Sequence, residues 1–255
     1  MVEGDAENLV IPVLADILGL NLARHGVSVV NVGSLAFHRY IDIFRRSDGA
    51  EILMPISIVT DSDVMPKKIG EKVDEQKAET EDAIRRKREN YDSKSGVIKS
   101  YIAPNWTFEY CLGLSSLRES FYESVLQAEK IENSTHYALT ADKIKEVETV
   151  LLSDSPEKYG GRHEFAYHVY VEKMLRGKKP NTRPISKAIV AQCFANNLRW
   201  RVTADLEKGK MFDADLFRLH VKEDEREKLK SMIEADEYLS YLVHAIKHAV
   251  GQTNI

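Results

Sequence analysis

Acidic side chains follow two short apolar segments of the sequence, and their type and spacing could hold divalent cations. Glu3 and Glu7 lie four residues apart where a helix would begin, and Asp61 and Asp63 follow the apolar run Ile56–Thr60. Residues four apart share one face of a helix, and a hard cation such as Mg²⁺ takes several anionic oxygens. The pattern predicts that these carboxylates surround two cations.

Other interpretations of these acids stay open at the sequence level. Glu3 and Glu7 could simply be favourable charges in a first helical turn. Asp61 could be the nucleophile of an aspartate-based phosphatase, although a second acidic cluster upstream fits that activity poorly. The acids could also form a structural metal centre in a noncatalytic module that binds DNA or a protein partner.

Other residue types give weaker indications of chemistry. Cys111 and Cys193 are the only cysteines, so we expect small buried hydrophobic residues rather than a disulfide framework or a thiolate site. His244 and His248 have the spacing of a helical zinc site but lack an evident third ligand, which makes zinc an unfavoured interpretation. The sequence has no glycine-rich loop ending in Gly-Lys-Ser or Gly-Lys-Thr, so this chain should not bind ATP by itself.

The first half of the sequence alternates strand and helix patterns. We expect strands at residues 27–32, Ile56–Thr60 and 97–103, and an amphipathic helix over 5–18 whose Pro12 predicts a kink or a late start. Such alternation predicts an α/β fold with a mostly parallel sheet, whose ligands gather at the carboxyl ends of the strands. Only Met1 and Val2 remain of the first strand, so we expect the chain to be cut from a longer protein.

The second half reads as helical. Apolar spacing predicts helices over 115–130, 141–152, 163–175, 184–200 and 222–250, the last divided near Ala235. We therefore expect two units: residues 1–113, with a charged, exposed helical insert over 66–92, and a helical subdomain over 114–255.

Composition and charge favour a cytoplasmic protein, with no stretch long and apolar enough to span a membrane. The chain has 255 residues and a formal net charge of −4, which gives no overall attraction to nucleic acid. Residues 173–187, however, contain six cations and no acid. This basic segment is either a phosphate-contacting surface or a solvated loop. The run 85–88 in the charged insert could also touch a nucleic-acid backbone, although a solvated face is favoured.

Four motifs together resemble the topoisomerase-primase (Toprim) domain, in the version found in OLD (overcoming lysogenization defect) family nucleases. They are Val-Glu-Gly-Asp-Ala-Glu at 2–7, Asn-Val-Gly at 31–33, Ile-Val-Thr-Asp-Ser-Asp at 58–63 and Thr-Phe-Glu-Tyr at 107–110. The resemblance covers mainly the first ~115 residues, and its order and spacing make it more specific than an isolated motif. It has weaker support downstream, from 184 to 193.

The resemblance implies a metal-dependent DNA endonuclease with a two-metal site, and thereby a role in phage defence. The implied metal ligands are Glu3, Glu7, Asp61, Asp63 and Glu109, with Glu3 and Asp61 also placed in the catalytic set. Lys187 matches the family's catalytic lysine, and the implied DNA contacts are Lys178, Lys179, Arg183 and Ser186. Mg²⁺ or Mn²⁺ would support turnover, whereas Ca²⁺ could bind without it.

The resemblance also implies partners for this region. OLD proteins usually carry an ABC-type ATPase region before the Toprim domain, so we expect such a region to precede these residues in the native protein. DNA is the expected substrate, a helicase-like protein is a further candidate partner, and no membrane contact is expected.

Overall fold

The computed structural model describes residues 1–33, 36–44, 52–66, 73–134, 138–154, 156–176, 184–203 and 221–252. Its strands are β1 (Ile56–Thr60) and β2 (Ile98–Ile102). Its helices are α1 (Asp5–Ile17), α2 (Phe37–Phe44), α3 (Val73–Tyr91), α4 (Phe108–Leu114), α5 (Arg118–Glu132), α6 (Ala141–Ser153), α7 (Arg162–Tyr167), α8 (Lys187–Val202), α9 (Glu223–Glu234) and α10 (Ser240–Ala249). Short 3₁₀ turns occupy Ala23–His25 and Pro156–Tyr159.

The sheet is small and parallel. β1 pairs with β2 in parallel from Ile56 opposite Ile98 to Thr60 opposite Ile102. Val2 makes parallel bridges to both Val59 and Asn31, which places the start of the chain between β1 and the extended segment before Gly33. A helix-rich α/β fold with a parallel sheet is therefore confirmed, and the acidic residues after Val2 and Thr60 emerge on the same edge of the sheet.

The expected strand over 27–32 is only partly formed. Its pairing is a single bridge at Asn31, supported by hydrogen bonds from the Val2 amide to the Val30 carbonyl and from the Val32 amide to the Val2 carbonyl, each 2.9 Å long. Val2, its neighbour in the sheet, likewise forms isolated bridges rather than a ladder. Residues 27–32 are therefore an extended segment rather than a regular strand.

Helix positions agree with the apolar periodicity, with three differences. Pro12 lies inside α1, which begins at Asp5, so of the two expected effects, a kink or a late start, the late start does not occur. The helix expected over 115–130 is found as α5 but begins later, at Arg118, because the Ser115 hydroxyl accepts from the Leu117 amide at 3.1 Å in the turn that separates α4 from α5. The helix expected over 163–175 changes into a π-helix over His168–Leu175. A further helix, α2, has only eight residues and was not predicted from the sequence.

Buried side chains from both halves of the chain form one large core, which runs from Val2 to Ile246. Within it, α8 packs against α1 and α5, and α10 lies on β1. The Ser57 hydroxyl of β1 donates to the Ala245 carbonyl at 2.7 Å, which ties α10 to the sheet. A division into units 1–113 and 114–255 stays a prediction.

No helix in the described ranges combines the length and apolar character needed to cross a membrane. Cys111 and Cys193 are both buried and free, as expected for packing residues.

Candidate active site

Glu3 and Glu7 approach the end of β1 from the start of α1. Glu3 follows the bridging residue Val2, and its carboxylate accepts from the Thr60 hydroxyl at 2.9 Å and more distantly from the Asp61 amide at 3.5 Å. Glu7 is in the first turn of α1 and is 6% exposed. The two acids, four residues apart, therefore lie in different environments: Glu3 at the strand end and Glu7 in the protein interior.

Asp61 is the first residue after β1 and is almost buried. One oxygen, Oδ1, accepts from the Phe108 amide at the start of α4, with the two atoms 2.7 Å apart. The pKa of Asp61 is raised to about 8, mainly by burial and to a smaller extent by the nearby carboxylates of Glu109, Glu7 and Glu3, against the opposing effect of Lys187. This carboxyl group therefore lies in a site with too little positive charge.

The same cause acts on Glu7. Burial raises its pKa to about 7, with smaller contributions from Glu109 and Glu3, while a backbone hydrogen bond and Lys187 act in the opposite direction. Two of the predicted metal ligands thus resist ionisation because they are desolvated and face other carboxylates.

Glu109 and Lys187 form an ion pair between two helix starts. Thr107 caps α4 by accepting from the Tyr110 amide at 3.2 Å, so Glu109 occupies the first turn and is not the cap. Ser186 caps α8, and Lys187 is the first residue of that helix. The Lys187 ammonium donates to Glu109 Oε2 at 2.9 Å. Two separate helix starts, brought together by packing, therefore place one cation among the acids.

Tyr170 adds a second contact to Lys187. The Lys187 Nζ atom is 5.6 Å from the centre of the Tyr170 ring, within cation–π range. Burial disfavours the charged lysine, but Glu109 and Tyr170 outweigh it and raise the pKa of Lys187 above its usual value. Lys187 therefore stays an ammonium group at neutral pH.

Asp63 has a separate ion-pair partner, on α3. Its carboxylate accepts from the Lys87 ammonium of α3, with Oδ2 and Nζ 2.6 Å apart. Its backbone has a φ of 62°, an uncommon conformation for a residue other than glycine. The structure therefore brings Glu3, Glu7, Asp61, Glu109 and Lys187 together and leaves Asp63 at their margin.

The acids have the ligand type that a divalent cation prefers, but their side chains are not arranged around a common point. Among the described residues, no three histidine, cysteine, aspartate or glutamate side chains converge closely enough to hold a metal ion. The donor set is nevertheless composed of carboxylates, the ligands that Mg²⁺ and Mn²⁺ prefer. The raised pKa values of Glu7 and Asp61 indicate a site that a cation would stabilise.

Several predicted contact residues lie outside the described part of the chain, namely Lys178, Lys179 and Arg183. Ser186 is described, and its backbone amide donates to Glu132 Oε1 at 2.9 Å while its hydroxyl caps α8. The structure thus gives Ser186 a role at the helix start, and its contact with DNA stays a prediction.

Histidine and arginine side chains elsewhere have local partners. His248 Nδ1 is 3.1 Å from the Ser57 hydroxyl and Nε2 is 3.1 Å from the Gly96 carbonyl, so both ring nitrogens are engaged and the pair with His244 is not a zinc site. On α3, Arg85 and Arg86 pair with Asp82, which agrees with a solvated helix face.

Lys87 and Tyr170 are the site neighbours that the sequence reading missed. Lys87 is one of four consecutive cations at 85–88, and the run gives no indication that one of them turns inward. Tyr170 lies 17 residues before Lys187 in sequence, and only the packing of the π-helix against α4 brings it to the site. The sequence does contain one indication for Lys87: it lies at helical spacing from Ile84 and Tyr91, on the apolar side of α3.

Comparisons with known proteins agree with the Toprim resemblance over part of the chain. Residues 1–63 match the family described as overcoming lysogenization defect protein-like, TOPRIM domain. No curated protein matches the sequence.

Solved structures with a similar arrangement include the C-terminal region of the Xanthomonas campestris pv. campestris OLD protein, at 19% identity and a TM-score of 0.44, covering 98% of this chain and 93% of that one. The C-terminal region of the Burkholderia pseudomallei OLD protein gives 18% identity and a TM-score of 0.44, covering 98% of this chain and 96% of that one.

Proposed function

We propose, from the OLD-like TOPRIM domain that residues 1–63 match, that this chain is the catalytic part of a divalent-metal-dependent DNA endonuclease. The observation that carries the proposal is the gathering of Glu3, Glu7, Asp61 and Glu109 at one edge of the sheet with Lys187 in contact. Three of these acids, Glu3, Glu7 and Asp61, lie within the matched residues.

The residues that would hold two cations are Glu3, Glu7, Asp61, Asp63 and Glu109. When bound, such cations lower the pKa of an attacking water and neutralise charge on the phosphodiester oxygens. The chain's own contribution is to keep the acids together at a strand end, held by hydrogen bonds from neighbouring backbone and side-chain groups. The Phe108 amide on Asp61 and the Thr60 hydroxyl on Glu3 are such contacts.

Lys187 supplies the fixed positive charge of the proposed mechanism. Its ammonium lies against Glu109 at the start of α8, where the helix dipole also favours an anion. If a phosphate group replaced Glu109 as the partner of this ammonium, the ammonium would neutralise the negative charge that develops on the phosphate. Lys178, Lys179, Arg183 and Ser186 would contact the DNA backbone, and an ABC-type ATPase region and a helicase-like protein are proposed partners.

The test is cleavage of supercoiled plasmid by the purified chain with Mg²⁺ or Mn²⁺, which should produce nicked or linear DNA. Chelation should stop cleavage, and Ca²⁺ should permit DNA binding without cutting. Asp61→Asn should remove cleavage, while Asp16→Asn, at the far end of α1 where Asp16 accepts from Asn21, should not.

The phosphatase alternative predicts a different result. An aspartyl nucleophile must be ionised and free to attack phosphorus, whereas Asp61 is almost buried, has a raised pKa and holds the Phe108 amide. Release of phosphate from small phosphoesters, without cleavage of DNA by any divalent ion, would favour the phosphatase and exclude the nuclease.

A further inference from the structure

Lys87 is the basic residue of α3 that turns toward the acidic site. Its ammonium donates both to the Asp61 carbonyl and to Asp63 Oδ2, at 2.6 Å in each case. Its side chain is 17% exposed, compared with 61% for Arg85 and 70% for Arg86. Within the described basic run 85–88, Lys87 therefore has a different environment from its neighbours on the solvated face.

The turn that Lys87 holds is fixed on its other side by the loop before α4. The Ser62 and Asp63 amides both donate to the Trp106 carbonyl at 3.1 Å. Asp63 has a φ of 62° and Trp106 a φ of 45°, so both residues adopt the left-handed region at this contact. These contacts fix the backbone of Asp63, and Lys87 is the cation that pairs with its carboxylate.

We propose that Lys87 is a built-in counter-ion of the acidic site, and that a divalent cation must displace its ammonium to gain Asp63. The inference rests on the proposed function, because it takes the acids to be cation ligands. A lysine ammonium and a divalent cation compete for the same anionic oxygens. While Lys87 holds Asp63 and the Asp61 carbonyl, fewer oxygens are open to a cation, and the local positive charge opposes its approach. Lys87 thus sets how tightly the site binds its cation.

The test measures Mn²⁺ binding to the full chain by calorimetry, without DNA, so that its readout is independent of cleavage. Lys87→Met should bind Mn²⁺ about fivefold to tenfold more tightly than the wild type, since one contacting positive charge has been removed. A residue that only supported the fold would give the opposite result, weaker binding on removal. If Lys87→Met is poorly folded, Lys87→Gln can still donate to the Asp61 carbonyl and should show the same direction.

Three control variants separate competition from general charge effects. Arg86→Met removes the same charge from the next residue, but its guanidinium is exposed and paired with Asp82, so affinity should change less than about twofold. Lys87→Arg keeps the charge and should stay close to the wild type. Adding Lys87→Met to Asp63→Asn should give a smaller gain, because the contested carboxylate is gone.

The outcomes distinguish this inference from the proposed function. If the wild type binds Mn²⁺ and Lys87→Met or Lys87→Gln binds it equally or more weakly, Lys87 is not a competitor. Mn²⁺ binding by neither the wild type nor these variants would overturn both proposals. A chain that binds Mn²⁺ but cuts no DNA would remove the nuclease proposal alone, and tighter binding by Lys87→Met would still support the counter-ion role.

Discussion

At the scale of single residues, the candidate site is characterised by an excess of negative charge. Glu3, Glu7 and Glu109 all act on Asp61, and Lys187 is the cation that opposes them. In water, solvation stabilises the ionised form of each carboxylate. When several carboxylates are buried close to one another in a protein, that solvation is lost and their like charges repel, so ionisation becomes costly. The site therefore stores a repulsion that protons or a divalent cation can relieve.

This repulsion predicts a pH-dependent effect of Glu7→Gln on stability in chelator. The folded-state pKa of Glu7 is raised to about 7, above the unfolded value of about 4.3. A raised folded-state pKa means that the stability contribution is present below the unfolded pKa and is lost as pH rises through the folded one. Because Gln resembles the protonated acid, Glu7→Gln should match the wild type near pH 4 and exceed its melting temperature at pH 8.

Thermal melts at several pH values check this expectation. Glu81→Gln, on the exposed face of α3, should show no such dependence. An advantage of Glu7→Gln that is equal at all pH values would contradict the assigned cause. Excess Mn²⁺ should reverse the order at pH 8, because only the glutamate can bind the cation.

Lys187→Ala tests the division between binding and chemistry. Its ammonium is placed at the acids rather than along an open surface, so its loss should lower the single-turnover cleavage rate on the order of 100-fold with less than about twofold change in DNA affinity. Lys130→Ala serves as the matched control, because Lys130 lies near the end of α5 and pairs with Glu146 of α6. Cleavage by Lys187→Ala at the wild-type rate would transfer the phosphate-stabilising role to Arg183.

At the scale of elements, positions were predictable where local pattern determines them. The expected segment 97–103 contains β2, and the expected division near Ala235 separates α9 from α10. Apolar periodicity reports such elements because each buries one face. α2 was not predicted because its eight residues span little more than two turns, which is shorter than the window over which helical periodicity is read.

Contacts between elements were far less predictable. Lys87 and Asp63 are 24 residues apart, and Lys187 and Glu109 are 78 apart. No spacing rule connects positions so distant, because their approach depends on how whole helices pack. The Toprim resemblance named Lys187 and Glu109 as members of one site, but it gave no indication of Lys87, and their functional roles stay predictions.

Gly113 allows α4, the helix that carries Glu109, to pack closely against α7. A Cβ atom at this position would lie 3.2 Å from Ala166 Cβ and 3.3 Å from Ala166 Cα, on α7. Gly113→Val should therefore lower the free energy of unfolding by about 1–3 kcal/mol through overpacking, measured by urea denaturation. Ala141→Val, at the exposed start of α6, should cost less than about 0.5 kcal/mol. Equal effects at the two positions would contradict the close approach.

At the scale of the whole molecule, the distribution of charge implies that the proposed binding of DNA would depend on local cations. The net charge is −4 and the candidate site is itself acidic, so the overall field opposes a polyanion. Lys178 and Lys179 lie in the basic segment 173–187, which contains no acid. If this segment contacts the phosphate backbone, affinity and catalysis are carried by different parts of the protein.

The double variant Lys178→Ala/Lys179→Ala tests this separation. Each phosphate contact releases condensed counterions, so losing two should weaken binding to all sequences alike and reduce the slope of log affinity against log salt by about 1.8. Cleavage at saturating DNA should be unchanged, because the carboxylates and Lys187 are intact. Lys143→Ala/Lys145→Ala, on α6, removes the same charge and should leave both the affinity and its salt slope close to wild type. Equal losses in the two double variants would mean that net charge alone governs binding, whereas a fall in the cleavage rate at saturation would place the basic segment in the catalytic step.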